Sequence, residues 1–373
     1  MTTEVWVTGL AWTTALGAGR DAVWRSLLDG ATGIRPVASE HRLRNNLAAT
    51  VPGLTARDSA DRQHRLARDT LVAALADAGV TRSDPGLHAV LGTSYGAHLD
   101  DATGVPLDAW CHRIATELGL SRTPLSVSTA CSSGSDSVLV AAELVRNRAA
   151  ELVVCGAADV LTTAKRLGHS VLGTMSPTML RSFDADRDGT ILGEGAGFLV
   201  LESAASARAR GRRPYGRLLG AGSANDAAGT TAPDPSGDTV VRAVERALAV
   251  AGRDAADVST VNAHGSGTQV NDDVESRSLA RIFDGAAAPT VFATKGALGH
   301  SLGATGTVEA IAVLLALRDR RVPPVAGLRQ VMPGFPLPLP ASGRPAPIDT
   351  GVGLSITLGF GGFNTCLAFE AVA

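Results

Sequence analysis

Short apolar runs recur along the chain, and several lead through glycine-rich turns into longer apolar segments. Residues 5–10, 88–92, 152–155, 198–202, 259–264, 291–294, 353–358 and 366–370 have the length and bounded ends of buried strands. Another strand is expected within 212–236, ahead of a Gly/Pro loop. Helical spacing appears over 21–29, 61–78, 237–251 and 303–318. In 61–78 the apolar positions Leu66, Leu71, Val72 and Leu75 carry that spacing, and Gly79 closes the helix. The helix after Cys131 and the one at 303–318 are apolar on most sides. Such helices must be covered all round, which asks for a layered core. Residues 30–60 read as polar and irregular. Residues 97–120 read as one short helical piece, 160–197 as a long connection, and 203–211 as an Arg-rich surface helix.

The same order of elements occurs twice. A strand ending in LGTSYG is followed by an extended apolar segment (124–129), a turn at Cys131, an apolar helix and a strand. A strand ending in NAHGSG is followed by a strand, a turn at His300, an apolar helix and a strand. Thr93 to Cys131 spans 38 positions, and His264 to His300 spans 36. Two related halves are therefore expected, 1–211 and 212–373, each of mixed βα units.

Composition narrows the class. The 373 residues are 45% hydrophobic and 19% charged, which suits a compact chain too long for one simple core. A formal net charge of −2 gives no reason to expect nucleic acid or an anionic membrane as partner. No apolar run reaches membrane-spanning length. The N-terminus lacks the pattern of a signal peptide. Four cysteines, at 111, 131, 155 and 366, show neither metal-ligand nor disulfide-dense spacing, so a reduced cytoplasm is expected. The run FDADRDG at 183–189 lacks the later ligands of a calcium loop. It is expected to form an internal salt-bridge and turn cluster, and no metal site is expected.

Candidate chemistry gathers at the turns. Cys131 stands where a helix begins, among small residues that leave room for a substrate. Backbone N–H groups and the helix dipole there are expected to stabilise a thiolate and lower its pKa. A lone cysteine is more often packing. Here His264 and His300, each beside glycine at corresponding turns, supply partners that could shuttle a proton or hold a developing oxyanion. Lys295 and Glu309 lie in apolar surroundings and are each costly to bury alone, so a pair close to His300 is expected.

TACSSG, AHGSGT, KGALGH and GFGGFN, in this order and spacing, resemble the motifs of a beta-ketoacyl synthase of the elongating Cys-His-His type. The resemblance covers nearly the whole chain. It implies a thiolase-like α/β fold, with two related halves in a five-layered αβαβα core, normally dimeric. It implies decarboxylative Claisen condensation of malonyl units with a Cys131-bound acyl chain, and so an acyltransferase. His264 and His300 would serve the malonyl half-reaction more than acyl loading. Backbone N–H groups of Cys131 and Phe360 would form the oxyanion hole, with Phe360 as an aromatic gate. Lys295 and Glu309 match the family's pair, and Ser266 and Thr268 match hydroxyls that contact pantetheine. No tightly bound cofactor is implied: substrates ride on the phosphopantetheine of an acyl carrier protein. A homodimer, or a heterodimer with a related ketosynthase-like subunit, is expected.

Departures from the family pattern bear on substrate range. Phe363 replaces a small residue, Gln269-Val270 replace Pro-Leu, Ser266 replaces threonine, and the segments 96–131 and 30–60 look trimmed. These point to a type II polyketide or specialised fatty-acid pathway. Two other readings compete with this one. A non-catalytic partner subunit is disfavoured by intact Cys131, His264 and His300. An acyltransferase acting on an alcohol or amine without decarboxylation is hardly separable by sequence.

Overall fold

A computed structural model describes residues 3–100, 104–286, 288–341 and 343–372. Ten strands follow one hydrogen-bonded path. They are β1 (Val5–Thr14), β2 (Leu87–Gly92), β3 (Leu125–Val127), β4 (Leu152–Asp159), β5 (Gly195–Ser203), β6 (Gly216–Asn225), β7 (Val258–Asn262), β8 (Thr290–Phe292), β9 (Val352–Gly359) and β10 (Phe363–Glu370). The spatial order is β8-β7-β9-β10-β6-β1-β5-β4-β2-β3. Each half repeats one pattern. From β1 outward the pairings run antiparallel to β5, antiparallel to β4, parallel to β2 and parallel to β3. From β6 outward they run antiparallel to β10, antiparallel to β9, parallel to β7 and parallel to β8. A short antiparallel contact, Val5 to Val7 against Gly216 to Leu218, joins the two halves.

Helices α1 (Arg20–Leu28), α2 (Ser59–Ala78) and α3 (Ala109–Leu118) belong to the first half, with α2 covering β1 and β5. Helices α4 (Ser133–Arg146), α5 (Thr163–Val171), α6 (Ala204–Ala209) and α7 (Asp238–Ala251) follow, then α8 (Gln269–Ile282), α9 (Lys295–Leu298) and α10 (Thr305–Asp319). α7 covers β6 and β10 from outside and packs against α8. α4 and α10 meet between the two sheet halves, completing the αβαβα layering. Burial explains their composition: every residue of α10 from Thr305 to Leu317 is buried. The two central helices approach so closely that a Cβ on Gly306 would stand 2.1 Å from Ser135 Oγ. Small residues at this crossing are a packing requirement.

The apolar runs locate the strands well, and the structure extends several of them. Four elements differ from expectation. The connection 160–197 contains α5, whose residues Lys165 and Arg166 tolerate burial because their charged groups are hydrogen-bonded: Lys165 bonds to buried Asp159 and Arg166 to the carbonyls of Val37 and Ala38. α8 follows the AHGSGT turn, where polar residues hid its periodicity. The segment 124–129 yields only the three-residue β3, an edge strand with Leu125 49% exposed. Residues 34–36 and 47–49 pair as a small hairpin-like ladder within the stretch expected to be irregular. In 97–120 a 3-10 turn at His98–Asp100 precedes α3, and 101–103 lie outside the described residues.

FDADRDG forms a turn cluster, as expected. Asp184 accepts N–H bonds from Arg329 (2.7 Å), Gln330 (3.0 Å) and Asp186 (2.8 Å). Its ion pair leaves the run, however: Arg187 bonds Asp273 of α8. The cluster thereby ties the first half to the second beside the His264 turn.

Candidate active site

The chain leaves β3, makes one 3-10 turn at Ala130–Ser132 and enters α4, which places Cys131 at the start of a buried helix. Hydroxyls hold the turn. Ser133 Oγ donates to Thr93 O (2.9 Å) or Ala130 O (2.7 Å) and accepts from Thr129 N (2.9 Å). Ala130 sits at φ 51, in the left-handed region that few side chains tolerate, and its single methyl is the smallest that could do so. Across the cleft, the β9–β10 turn brings the Phe360 N–H near enough to Cys131 to favour its thiolate. Ser132 Oγ donates to Phe363 O (2.8 Å), which locks that turn to the cysteine.

The second half delivers two imidazoles. β7 runs into His264, and α8 holds the turn that follows. Glu275 accepts the N–H groups of His264 and Gly265 (2.8 Å for the latter), and Asp272 accepts that of Gly267 (3.1 Å). β8 leads through α9 to His300. His300 Nε2 is 3.2 Å from Cys131 Sγ, and its Nδ1 is 3.1 Å from Thr305 Oγ1. The His264 ring meets His300 edge-on, with centroids 5.2 Å apart. Cys131, His264, His300, Ser266, Thr268 and Phe360 all line one cavity of about 460 Å³. Ser266 and Thr268 hydroxyls lie 2.9 Å apart there. A larger surface groove, about 840 Å³, opens between Trp6, Arg217 and Arg320 and contains neither cysteine nor histidine.

Burial sets the resting charges. It pushes the Cys131 thiol up to about 11, against the pull of Lys295 and the Phe360 N–H. This corrects the expectation of a resting thiolate: the cost of burying an anion outweighs the helix start. Burial, reinforced by Lys295, also holds His264 and His300 well below the ordinary histidine range, so both are neutral. The site rests as thiol and imidazole, with His300 Nε2 placed to take the proton as sulfur attacks. A group with its pKa near 11 gains thiolate tenfold per pH unit below that value. Alkylation of Cys131 by a haloacetamide should therefore accelerate about tenfold per unit from pH 7 to 9. A plateau near pH 7 would reveal a thiolate resting state instead.

Lys295 and Glu309 do pair, at 2.7 Å, both fully buried. Thr294 Oγ1 also donates to Glu309 (3.2 Å). The pair was expected close to His300. The ammonium donates to the carbonyl of His264, while Lys295 itself opens the helix that leads to His300. The pair thus braces both histidine turns. Lys295→Met and Glu309→Leu should each cost on the order of 3–5 kcal/mol, because each strands a buried polar or charged partner. The double variant should cost less than the two losses together. A denaturant-melt cycle with additive losses would show that the pair does not act as a unit.

Six of the candidate residues, Cys131, His264, Ser266, Thr268, His300 and Phe360, therefore converge on one cleft, with Lys295 and Glu309 paired behind the histidine turns. Sequence reasoning missed Thr305, which orients His300, and Glu275 and Asp272, which hold the His264 turn. The two carboxylates sit in α8 facing inward, where burial raises Glu275 to about 8 and Asp272 to about 6. Their signal was a pair of acidic residues after AHGSGT, four and seven positions beyond Thr268. It carried no weight while that stretch had no element.

Comparisons with known proteins agree with this architecture. Residues 2–207 match the beta-ketoacyl synthase N-terminal domain, and residues 215–329 match the beta-ketoacyl synthase C-terminal domain. The 3-oxoacyl-[acyl-carrier-protein] synthase 2 of Mycobacterium tuberculosis is 33% identical over 405 residues, covering 97% of this chain and 96% of that protein. The protein of the same name from Synechocystis is 32% identical over 410 residues, covering 98% of each. These aligned stretches exceed the 373 residues of this chain, so gaps fall within it. Among solved structures, the ishigamide ketosynthase/chain length factor is 30% identical, with a TM-score of 0.91 and full coverage of both chains. A beta-ketoacyl synthase from Burkholderia phymatum is 29% identical with a TM-score of 0.89, again with full coverage. With its two domain matches spanning most of its length, and relatives aligned nearly end to end, this chain belongs to the beta-ketoacyl synthase family.

Proposed function

We propose that this chain is a β-ketoacyl-[acyl carrier protein] synthase working on Cys131. Cys131 Sγ attacks the thioester carbonyl of an incoming acyl group and passes its proton to His300. The N–H groups of Cys131 and Phe360 hold the tetrahedral oxyanion. The carrier thiol leaves with a proton, and the acyl group stays on sulfur. Malonyl thioester then enters. Its C–C bond to the carboxylate breaks, CO2 departs, and the electron pair becomes an enolate whose oxygen His264 and His300 stabilise. That enolate carbon attacks the acyl-enzyme carbonyl, and Cys131 leaves as the sulfur leaving group. Lys295 and Glu309 keep the two imidazoles in place. Ser266 and Thr268 hold the pantetheine arm, and Phe360 gates the sulfur. The halves 1–211 and 212–373 each bring part of the site, cysteine from one and histidines from the other.

The observation that carries this reading is the 3.2 Å contact between Cys131 Sγ and His300 Nε2, with a second imidazole on the same cavity wall. Acyl carrier protein is the substrate-bearing partner, and no tightly bound cofactor takes part. A second, related ketosynthase-like chain is the expected dimer partner. The exposed edge strand β3 offers an unpaired row of backbone groups for such a contact. The trimmed segments and Phe363 favour a type II polyketide or specialised fatty-acid pathway. Among the described residues no helix is long and apolar enough to cross a membrane. Intact-protein mass spectrometry after exposure to a panel of acyl carrier proteins tests the proposal. One acyl mass per chain is expected, and no gain with any acyl group would overturn it.

A further inference from the structure

Helix α5 brings a third imidazole to the cavity. His169 stands near the end of that helix and lines the same space as Cys131, His264 and His300. Its ring stacks on Phe360, with centroids 5.5 Å apart and planes within 17°. Phe360 lines the cavity with Cys131 and its N–H acts on the sulfur, so the stack lies beside the acylation point.

One edge of this ring is tied down. His169 Nδ1 is 2.9 Å from Thr174 Oγ1, and the same hydroxyl lies 3.3 Å from the carbonyl oxygen of His169. A carbonyl only accepts, so the single hydroxyl proton goes to it, and Nδ1–H donates to the hydroxyl oxygen. Nε2 is then left as a bare acceptor. Among the described residues no protein group bonds to it, and it is not among the sealed-off buried polar atoms. The ring is neutral, since burial and the nearby Lys165 push it down to about 4. Apolar side chains also pack around the sulfur: Leu161, Leu192 and Leu302 cluster with Cys131. The steps assigned to Cys131, His264 and His300 leave His169 without a task.

We propose that His169 is a specificity-determining residue whose Nε2 accepts a hydrogen bond from a hydroxyl carried on the first few carbons of the acyl chain. The site thereby favours hydroxylated chains over saturated ones of equal length. An apolar wall alone cannot make that distinction, because it offers nothing to replace the water lost by the hydroxyl. The inference rests on the ketosynthase reading, through acylation of Cys131.

The test compares loading of Cys131 from 3-hydroxyacyl and saturated acyl carrier proteins of equal chain length, read as initial rates of mass gain. The wild-type protein should load the hydroxylated chain about fivefold faster, the worth of one neutral hydrogen bond. In His169→Phe the aromatic stack is kept and the acceptor lost, so the ratio should fall to about one. His169→Gln returns a polar atom at similar reach and should restore most of the preference. A wild-type ratio near one, or an unchanged ratio in His169→Phe, overturns the proposal. Failure of His169→Gln to restore the ratio also overturns it, since ring stacking would then set the preference. Absence of loading from both chains in the wild-type protein has a different meaning: it refutes the ketosynthase reading, and this inference falls with it.

Discussion

Cys131→Ala should fold normally and take up no acyl group. The turn at 130–132 is held by the hydroxyls of Ser132 and Ser133 and by backbone bonds, not by the sulfur. Deleting one atom at the edge of a cavity leaves almost no new void, so the melting temperature should barely move. Loading should drop on the order of 10⁴-fold or more, because no other nucleophile can replace it. Cys155 and Cys366 are fully buried within strands, and burial alone drives their thiols far above the ordinary range. Cys111 is buried in α3. Peptide mapping of the wild-type protein should therefore find the acyl mass on Cys131 alone. Acyl mass on Cys155 or Cys366 would sink the assignment.

The two histidines should separate by half-reaction. The sequence reading assigned both mainly to the malonyl step. On the proposed function, the 3.2 Å contact with sulfur supports a part for His300 in loading as well. His264→Ala should still load an acyl group, because His264 meets His300 edge-on and makes no hydrogen bond to sulfur among the described residues. Its condensation rate should fall 10²- to 10⁴-fold, the usual worth of a positioned acid–base group. His300→Ala should lose condensation to a similar degree and load about 10²-fold more slowly, since a buried neutral thiol has lost its proton acceptor. Loading by His300→Ala at the wild-type rate would show that sulfur is deprotonated without it. Stopped loading assays, with malonyl carrier protein withheld and then added, separate the two steps.

The architecture was legible wherever apolar periodicity carried it. The all-apolar helix at 303–318 predicted a central layer, and α10 fills that place against α4. The repeat of strand, turn and helix predicted two halves, which appear as two identical pairing patterns. The cleft was legible where glycine and small residues frame a candidate side chain, as at Cys131, His264 and His300, which meet on one cavity. What stayed hidden depended on long-range contacts. α5 and α8 carry buried polar residues whose partners lie far off in the chain: Arg166 bonds carbonyls of residues 37 and 38, and Asp272 bonds the N–H of Phe183. Such residues look like solvent-facing positions until their partners are placed. The charge state of Cys131 was hidden for the same reason. A helix start argues for a thiolate, while enclosure by His300, Leu192 and Leu302 argues more strongly for a thiol.

The most direct test of the account follows the carboxylate carbon of malonyl. Acyl-loaded protein is mixed with malonyl carrier protein labelled at that carbon, and CO2 and carrier-bound product are counted together. The account predicts one CO2 for each β-ketoacyl product two carbons longer than the loaded chain, with no product from Cys131→Ala. Discharge of the acyl group from Cys131 onto an alcohol or amine, with the label still in malonate, would contradict it.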